Sequence, residues 1–277
     1  MKVYQTPDKD FCFGVKRSVD IAIKTVKKSK VPVYTYGPII HNPQVVKQLA
    51  EQGITPIESF DGIKPGKLIL RSHGVPSSVI EEAKRLKFSV IDAVCPFVKR
   101  AQDYAKKLYK EGYKVIIVGE QEHPEIKGIL GHAKIKAQVI NHLSSLNELP
   151  DFEKLGVIAQ TTLSVQRFVE VVSKLLPRAE EILVYNTICK NVILRQYHTE
   201  KLANRVDLMI VVGGKNSANT RRLAELARHE KCETYHIETK EELEPAWFKN
   251  KLSIGVTAGA STPNWIIKEV VEWLSGQ

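Results

Sequence analysis

The sequence predicts an α/β protein made of three pseudo-repeated units with mostly parallel sheets, set around one central cleft. Three observations carry this. Short apolar runs rich in β-branched residues alternate with segments of helical periodicity along all 277 residues. Two of those runs end in matching strings, Ser89-Val-Ile-Asp-Ala-Val-Cys95-Pro and Leu183-Val-Tyr-Asn-Thr-Ile-Cys189-Lys. The same order of strand, loop and helix also returns at a spacing of roughly 90 residues, as a repeat architecture requires.

Residues 1–97 form the first expected unit. After Cys12, residues 14–29 read as an amphipathic helix with Val15, Val19, Ile21, Ile23 and Val26 as its apolar positions. Strand 31–36 leads into the loop Gly37-Pro-Ile-Ile-His41-Asn42-Pro43 and a helix over 44–52, which Gly53 stops. Strand 67–70, loop 71–76 with His73, helix 77–87 and the strand into Cys95 complete it. The second unit, 98–191, repeats the scheme with helix 98–110, strand 115–118, loop 119–125 and helix 126–132. A less defined strand and linker over Ile135–Glu153 follow, then strand 155–159, loop Gln160–Ser164, helix 165–176 and the strand into Cys189. The third unit, 192–277, reads as helix 193–203, strand 208–212, loop 213–219, helix 220–230, a strand near 234–237, strand 252–256, loop 257–263 and helix 264–274.

A hydrophobic content of 43% and a charged content of 26% are ordinary for a globular chain. No apolar run approaches the roughly 20 residues of a membrane span. The first residues lack the apolar core of a signal peptide, so a cytoplasmic location is expected. Four cysteines in that setting do not suggest a disulfide framework. The formal charge of +10 points to an acidic partner or substrate. The basic residues are spread over many helices without a nucleic-acid motif, so nucleic acid is not the expected partner.

Parallel α/β folds gather their chemistry in loops at the carboxyl ends of strands. Those loops carry His41, His73, His123, Glu125, Thr161, Thr162, Ser217, Asn219 and Ser261, and Cys12, Cys95 and Cys189 lie at element ends. Three thiols without an evident fourth ligand suit an iron–sulfur cluster with one open iron. Zinc held by three cysteines and a water or histidine is the nearest metal alternative. Buried, inert cysteines remain the plain reading, and Cys232 at a charged helix end is read as incidental. The histidines, hydroxyls and helix N-termini form a donor-rich set suited to phosphate oxygens. No phosphate loop of the Gly-x-x-x-x-Gly-Lys-Ser/Thr type is present, and only Arg71 and Lys215 add cations to these loops. Glu125, opening a helix after His123-Pro124, is a candidate proton relay that the helix N-terminus should keep ionised, with Thr161 or Thr162 as a hydroxyl partner.

Taken together these residues resemble the 4-hydroxy-3-methylbut-2-enyl diphosphate reductase family, also called LytB. The matching strings are Phe11-Cys12-x-Gly14-Val15-x-Arg17, Gly37-x-Ile39-Ile40-His41-Asn42, Ser72-His73-Gly74-Val75-Pro76 and Asp92-Ala93-x-Cys95-Pro96. His123-Pro124-Glu125-x-x-Gly128, Gln160-Thr161-Thr162-Leu163-Ser164, Thr187-Ile188-Cys189, Asn216-Ser217-x-Asn219 and Thr257-Ala258-Gly259-Ala260-Ser261 continue them in the family's order. The resemblance implies a trefoil around a [4Fe–4S] cluster held by Cys12, Cys95 and Cys189, with one iron open to the substrate's allylic hydroxyl. It implies loss of that hydroxyl as water, giving isopentenyl and dimethylallyl diphosphates in the last step of the methylerythritol phosphate route to isoprenoids. It assigns the diphosphate to His41, His73, His123, Ser217, Asn219 and Ser261, and proton delivery to Glu125 with Thr161 and His123 beside it. It implies an acidic electron donor, a ferredoxin or a flavodoxin, and no membrane. Asp10, Asn186, Asn191, Val192 and Ala218 depart from the usual pattern, where Gly, Asp, Ala, Thr and Ser are common. A non-catalytic iron–sulfur redox sensor and a zinc-dependent hydrolase are the alternatives from other classes.

Overall fold

In the computed structural model, which describes residues 1–133 and 136–276, every paired strand runs parallel to its neighbours. The chain begins with β1 (Lys2–Gln5) and α1 (Phe13–Lys27). Then come β2 (Val33–Tyr36), α2 (Pro43–Glu51), β3 (Ile54–Ile57), β4 (Lys67–Leu70), α3 (Ser77–Arg85), β5 (Ser89–Asp92) and α4 (Pro96–Lys110). The next group is β6 (Lys114–Val118), α5 (Pro124–Ala133), β7 (Ala137–Ile140), β8 (Phe152–Ala159), α6 (Val165–Leu175), β9 (Ala179–Tyr185) and α7 (Lys190–Ala203). The last is β10 (Leu208–Val212), α8 (Ala218–His229), β11 (Glu233–Ile237), β12 (Ser253–Ala258) and α9 (Asn264–Ser275). The expected linker over Ile135–Glu153 starts outside the described residues; from Lys136 on it holds β7, a short 3-10 turn and the start of β8.

The strands form three sheets of four, ordered β3-β2-β4-β5, β7-β6-β8-β9 and β11-β10-β12-β1. The three orders are the same once β1 is read as the fourth strand of the last sheet. In each, the fourth strand lies at an edge and leads to a cysteine. The third copy is therefore closed by the N-terminal strand, through pairing of Lys2 with Ser253 up to Gln5 with Val256. Strand β1 was not legible in the sequence, because four residues with a partner some 250 positions away show no local pattern. Strand β3 was also missed, since Pro56 argues against a strand; it is tolerated there because β3 is an edge.

The local chemistry explains the elements. Central strand β10, Leu-Met-Ile-Val-Val, is buried along its whole length, as a parallel strand covered on both faces requires. Pro96 opens α4 where its missing N–H costs nothing, and Ser164 caps α6 by accepting from the Arg167 N–H at 3.3 Å. Each sheet has its own core. Leu68, Leu70, Val79, Ala83, Phe88 and Val98 fill the first, Val115, Ile117, Ile126, Ile129 and Ile158 the second, and Ile210, Ile254, Val256, Ile266 and Val270 the third. Each branched side chain among them is worth about 1.5–3 kcal/mol of burial.

Two compact units result. One comprises Arg17–Ile40 and Lys47–Cys189 and holds the first two sheets; the other comprises Met1–Lys16, His41–Val46 and Lys190–Gln277 and holds the third. No helix among the described residues is long and apolar enough to cross a membrane.

Candidate functional site

The threefold repeat of sheet order puts the predicted residues at matching loop positions. His41, His123 and Ser217 follow the first strand of their copies and stand just before α2, α5 and α8. His73, Thr161 and Ser261 follow the third strand. Cys95, Cys189 and Cys12 follow the fourth, each immediately before a helix, α4, α7 and α1. A shared backbone bond fixes each cysteine. The N–H of Cys95 donates to the Ser72 carbonyl at 3.0 Å, that of Cys189 to Thr161 at 2.9 Å and that of Cys12 to Ala260 at 3.0 Å. In every copy the acceptor lies two residues beyond the end of the third strand. The loop after the third strand thus carries the cysteine loop on its backbone.

Within the larger unit, Asx turns shape two of these loops. Asp92 Oδ1 accepts from the Val94 N–H at 3.0 Å, and Asn186 Oδ1 accepts from the Ile188 N–H at 3.1 Å. Asn186 replaces the usual Asp without loss of this bond, because the turn uses only a side-chain oxygen. Thr187, fully buried, accepts from the Ala159 N–H at 2.9 Å and donates to the Ala159 carbonyl, which locks the Cys189 loop to the end of β8. On the Cys95 side, Arg17 donates to the Val94 carbonyl at 3.1 Å and Ser18 to the Ala93 carbonyl at 2.6 Å.

The same unit builds an acid–hydroxyl pair. Glu125 is 1% exposed and accepts two bonds from Thr161, from the N–H at 2.7 Å and the hydroxyl at 2.6 Å. The Glu125 N–H donates to His123 Nδ1 at 3.1 Å. A neutral His123 so held carries its proton on Nε2. The His123 ring meets that of His73 edge-on, 5.7 Å between centroids. Burial pushes the Glu125 carboxyl up to about 7, against the pull of its two Thr161 bonds. This corrects the expectation of an ionised Glu125: removal from water outweighs the two bonds that favour the charged form. Of the two threonines expected beside it, Thr161 is the partner, while the Thr162 hydroxyl accepts from Gln160 Nε2 at 2.8 Å.

The smaller unit gathers polar side chains around its own loops. Gly213, at φ +145°, and Gly214 open the loop after β10; a Cβ on Gly214 would lie 2.5 Å from the His41 carbonyl oxygen. Ser217 caps α8 through the Thr220 N–H at 3.3 Å, and the Ser261 hydroxyl donates to the His41 carbonyl at 3.0 Å. Asn219 is buried with neither side-chain Oδ1 nor Nδ2 in a hydrogen bond; Asn42 Nδ2 and Thr220 Oγ1 are likewise unsatisfied. Buried polar atoms without protein partners mark a place for a polar ligand. Asn42 and Thr220 were not singled out from sequence. Asn42 had a signal, as an N-cap residue before Pro43, and its Oδ1 does accept from the Val45 N–H at 3.1 Å.

Cys12 is held differently from its counterparts. Arg195, buried on α7, donates to the carbonyls of Ala258 at 2.8 Å, Asp8 at 3.4 Å and Asp10. Burial lowers its proton affinity, and the carboxylates of Asp8 and Asp10 and the Cys12 sulfur offset part of that. Asp10 Oδ1 accepts from the N–H groups of Phe11 at 2.7 Å and Asn264 at 3.2 Å, which gives its departure from glycine a structural use. The two loop cations are engaged internally. Lys215 pairs with Glu242, and Arg71, whose proton affinity burial lowers, donates to the Gly74 carbonyl at 3.2 Å.

None of the four cysteines is joined in a disulfide. Cys232 sits in a small core with Ala203, Met209 and Ala227, where burial raises its thiol, so it belongs to packing. Among the described residues no group of three or more His, Cys, Asp or Glu side chains stands together as a metal site. The donor chemistry of Cys12, Cys95 and Cys189 nonetheless fits a thiolate-held group: each is an unbridged sulfur at a helix start, where the terminal N–H groups favour negative charge.

Comparison with known proteins agrees with this arrangement over the whole chain. The family model described as LytB protein matches residues 3–275. A 4-hydroxy-3-methylbut-2-enyl diphosphate reductase of Pelobacter propionicus is 48% identical over 271 residues, 98% of this chain and 96% of the relative. That of Geobacter sulfurreducens is 47% identical over 262 residues, covering 95% and 93%. A solved structure of (E)-4-hydroxy-3-methyl-but-2-enyl diphosphate reductase, described as the terminal enzyme of the non-mevalonate pathway, is 42% identical, covers all of both chains and superposes with a TM-score of 0.72. The E-1-hydroxy-2-methyl-but-2-enyl-4-diphosphate reductase of Plasmodium falciparum is 30% identical, covers 99% of this chain and 88% of its own, and superposes with a TM-score of 0.93. With its parallel sheets, its three helix-starting thiols and a match from residue 3 to 275, the chain belongs to the LytB family.

Proposed function

We propose that this chain reduces 4-hydroxy-3-methylbut-2-enyl diphosphate, removing the allylic hydroxyl to give isopentenyl and dimethylallyl diphosphates. The observation that carries this is near-full-length similarity to proteins named for that reductase activity. Two electrons and two protons enter. The C–O bond breaks, a C–H bond forms, and the oxygen leaves as water with the second proton. Cys12, Cys95 and Cys189 are assigned to a [4Fe–4S] cluster with one iron left open, in keeping with their places outside any disulfide at equivalent helix starts. When bound, the cluster supplies electrons and a Lewis-acidic iron.

The protein's own residues handle binding and protons. His41, His73, His123, Ser217, Asn219 and Ser261 are assigned to the diphosphate. The unsatisfied side chain of Asn219 supports this. Glu125 holds a proton near neutral pH and passes it through its bond to the Thr161 hydroxyl, with His123 Nε2 as a further donor. The division into successive units with breaks near residues 97 and 191 belongs to this proposal, with β1 lent to the third sheet. So do a cytoplasmic setting and an acidic ferredoxin or flavodoxin as electron source.

The test is anaerobic turnover of protein reconstituted with iron and sulfide, using reduced methyl viologen and the diphosphate alcohol. Dye oxidation that depends on substrate and yields both five-carbon diphosphates is the expected result. Cluster-loaded protein that oxidises no dye with this substrate would refute the assignment, and a Glu125→Gln protein with full turnover would refute the proton route.

A further inference from the structure

The proposed reaction consumes two electrons that its substrate does not carry, so an electron carrier must reach a surface beside the thiols. The surface next to Cys12 has a character that catalysis leaves unexplained. The segment Asp8–Asp10, just before Cys12, is a hub within the smaller unit. Arg195 of α7 donates to its carbonyls, His198 Nδ1 of α7 lies 2.8 Å from Asp8 Oδ2, and the Asn264 N–H at the start of α9 donates to Asp10. Helix α7, the start of α9 and the turn into α1 are thereby pinned around one point.

Four large apolar side chains on these pieces face outward. Phe13, the residue after Cys12, is 60% exposed, Leu194 51%, Tyr197 47% and Trp265 42%. One exposed leucine or tyrosine needs no explanation. On α7 two large apolar side chains share the exposed face with lysines, and three polar ones share the buried face with Val192 and Ala203. Its exposed stripe is Lys190, Leu194, Tyr197 and Lys201, positions that share one helical face, while Arg195, Gln196 and Thr199 are buried. Lys201 Nζ lies 4.7 Å over the Tyr197 ring. Lys9, Lys16 and Lys268 are exposed on the same pieces. Of the carboxylates on these pieces, Asp8 and Asp10 are tied up by His198 and by backbone N–H groups, Glu269 pairs with Lys240, and Glu200 is half-buried. The α7 stripe thus sets Leu194 and Tyr197 between Lys190 and Lys201, on a chain of net charge +10.

We propose that this face, centred on Leu194 and Tyr197 and flanked by Lys190 and Lys201, is the docking surface for an acidic electron-carrier protein. The inference rests on the reductase reading given above. Lysines steer an acidic partner and set its orientation, and the small apolar centre gives a contact that forms and dissolves quickly, as redox encounters require. Electrons then enter next to Cys12.

The test compares wild type with Leu194→Glu combined with Lys201→Glu, two exposed positions outside the assigned thiols and substrate residues. Binding is read by titrating fluorescently labelled flavodoxin, independently of turnover, and reduction is read with flavodoxin and with methyl viologen as alternative donors. The expected result is a flavodoxin Kd and half-saturating concentration raised at least about tenfold, the equivalent of about 1.4 kcal/mol. Turnover with methyl viologen and the circular dichroism spectrum should stay the same. Unchanged flavodoxin binding overturns the proposal. Equal losses with both donors also overturn it, as does a shift from dimer to monomer on mutation, which would make the face a self-association surface. Wild type that binds flavodoxin but turns over with neither donor would refute the reaction and leave the docking face standing.

Discussion

Replacing Glu125 by Gln should change how stability depends on pH, by an amount the structure allows to be worked out. The carboxyl is 1% exposed, and burial lifts it from an ordinary value of 4.5 to about 7. Between those values the native protein keeps a proton that the unfolded chain has released. Stability therefore falls as pH rises through that window and is level above it. At about 1.4 kcal/mol per unit, the loss amounts to about 3 kcal/mol. The amide of the Glu125→Gln protein does not titrate, so that protein escapes the loss. The exchange of one acceptor for an amide beside the Thr161 hydroxyl adds an offset that is the same at every pH. Urea unfolding of both proteins between about pH 4 and about pH 8 measures the difference. It should shift in favour of Glu125→Gln by about 3 kcal/mol over that range, most steeply between 4.5 and about 7. A difference that stays constant within about 0.5 kcal/mol would show that Glu125 ionises as freely in the native protein as in the unfolded chain.

Three further outcomes follow from the loops. Thr187→Val leaves the buried Ala159 N–H without its acceptor and should cost about 1–3 kcal/mol in thermal or urea unfolding, with Thr187→Ser restoring most of it; equal stability of Val and Thr would remove Thr187 from its locking role. Asn186→Asp keeps the Asx turn and should fall within about 0.5 kcal/mol of wild type, while Asn186→Ala should cost about 1 kcal/mol in the same assay; a reversed order would refute the turn as the reason either residue is acceptable. Arg195→Met abandons carbonyls in the turn before Cys12 and should cost at least about 2 kcal/mol and lower the iron retained after reconstitution, whereas an effect on neither would show that the turn holds itself.

The alternation of strands and helices, the matching Cys95 and Cys189 strings and the loop positions of His41, His73, His123 and Thr161 were all readable, because each is a local pattern or a residue type at a strand end. What escaped reading depends on distance or burial. Strand β1 finds its partner some 250 residues away, so Cys12, which looked like a neighbour of Cys95, follows the edge strand of the third sheet. The ionisation of Glu125 was misjudged because a sequence shows the helix start but not the absence of water. Asn42 and Thr220 look like ordinary cap and helix residues until their buried atoms prove to lack partners. Thr187 reads as part of a motif, but its bond to Ala159 exists only because β8 and β9 pair.

Strand β1 also sets an order of events during synthesis. The strands of the first two sheets lie close together in sequence and can zip up as the growing chain leaves the ribosome. The third sheet cannot be finished then. Its edge waits for residues 253–256, while Lys2–Gln5, made long before them, stays unpaired throughout. The carbonyl that receives the Cys12 amide, on Ala260, is made later still. Of the three thiol loops, the one first translated is thus the last to take shape, and any cluster that needs Cys12 in place must be loaded after translation has passed residue 260.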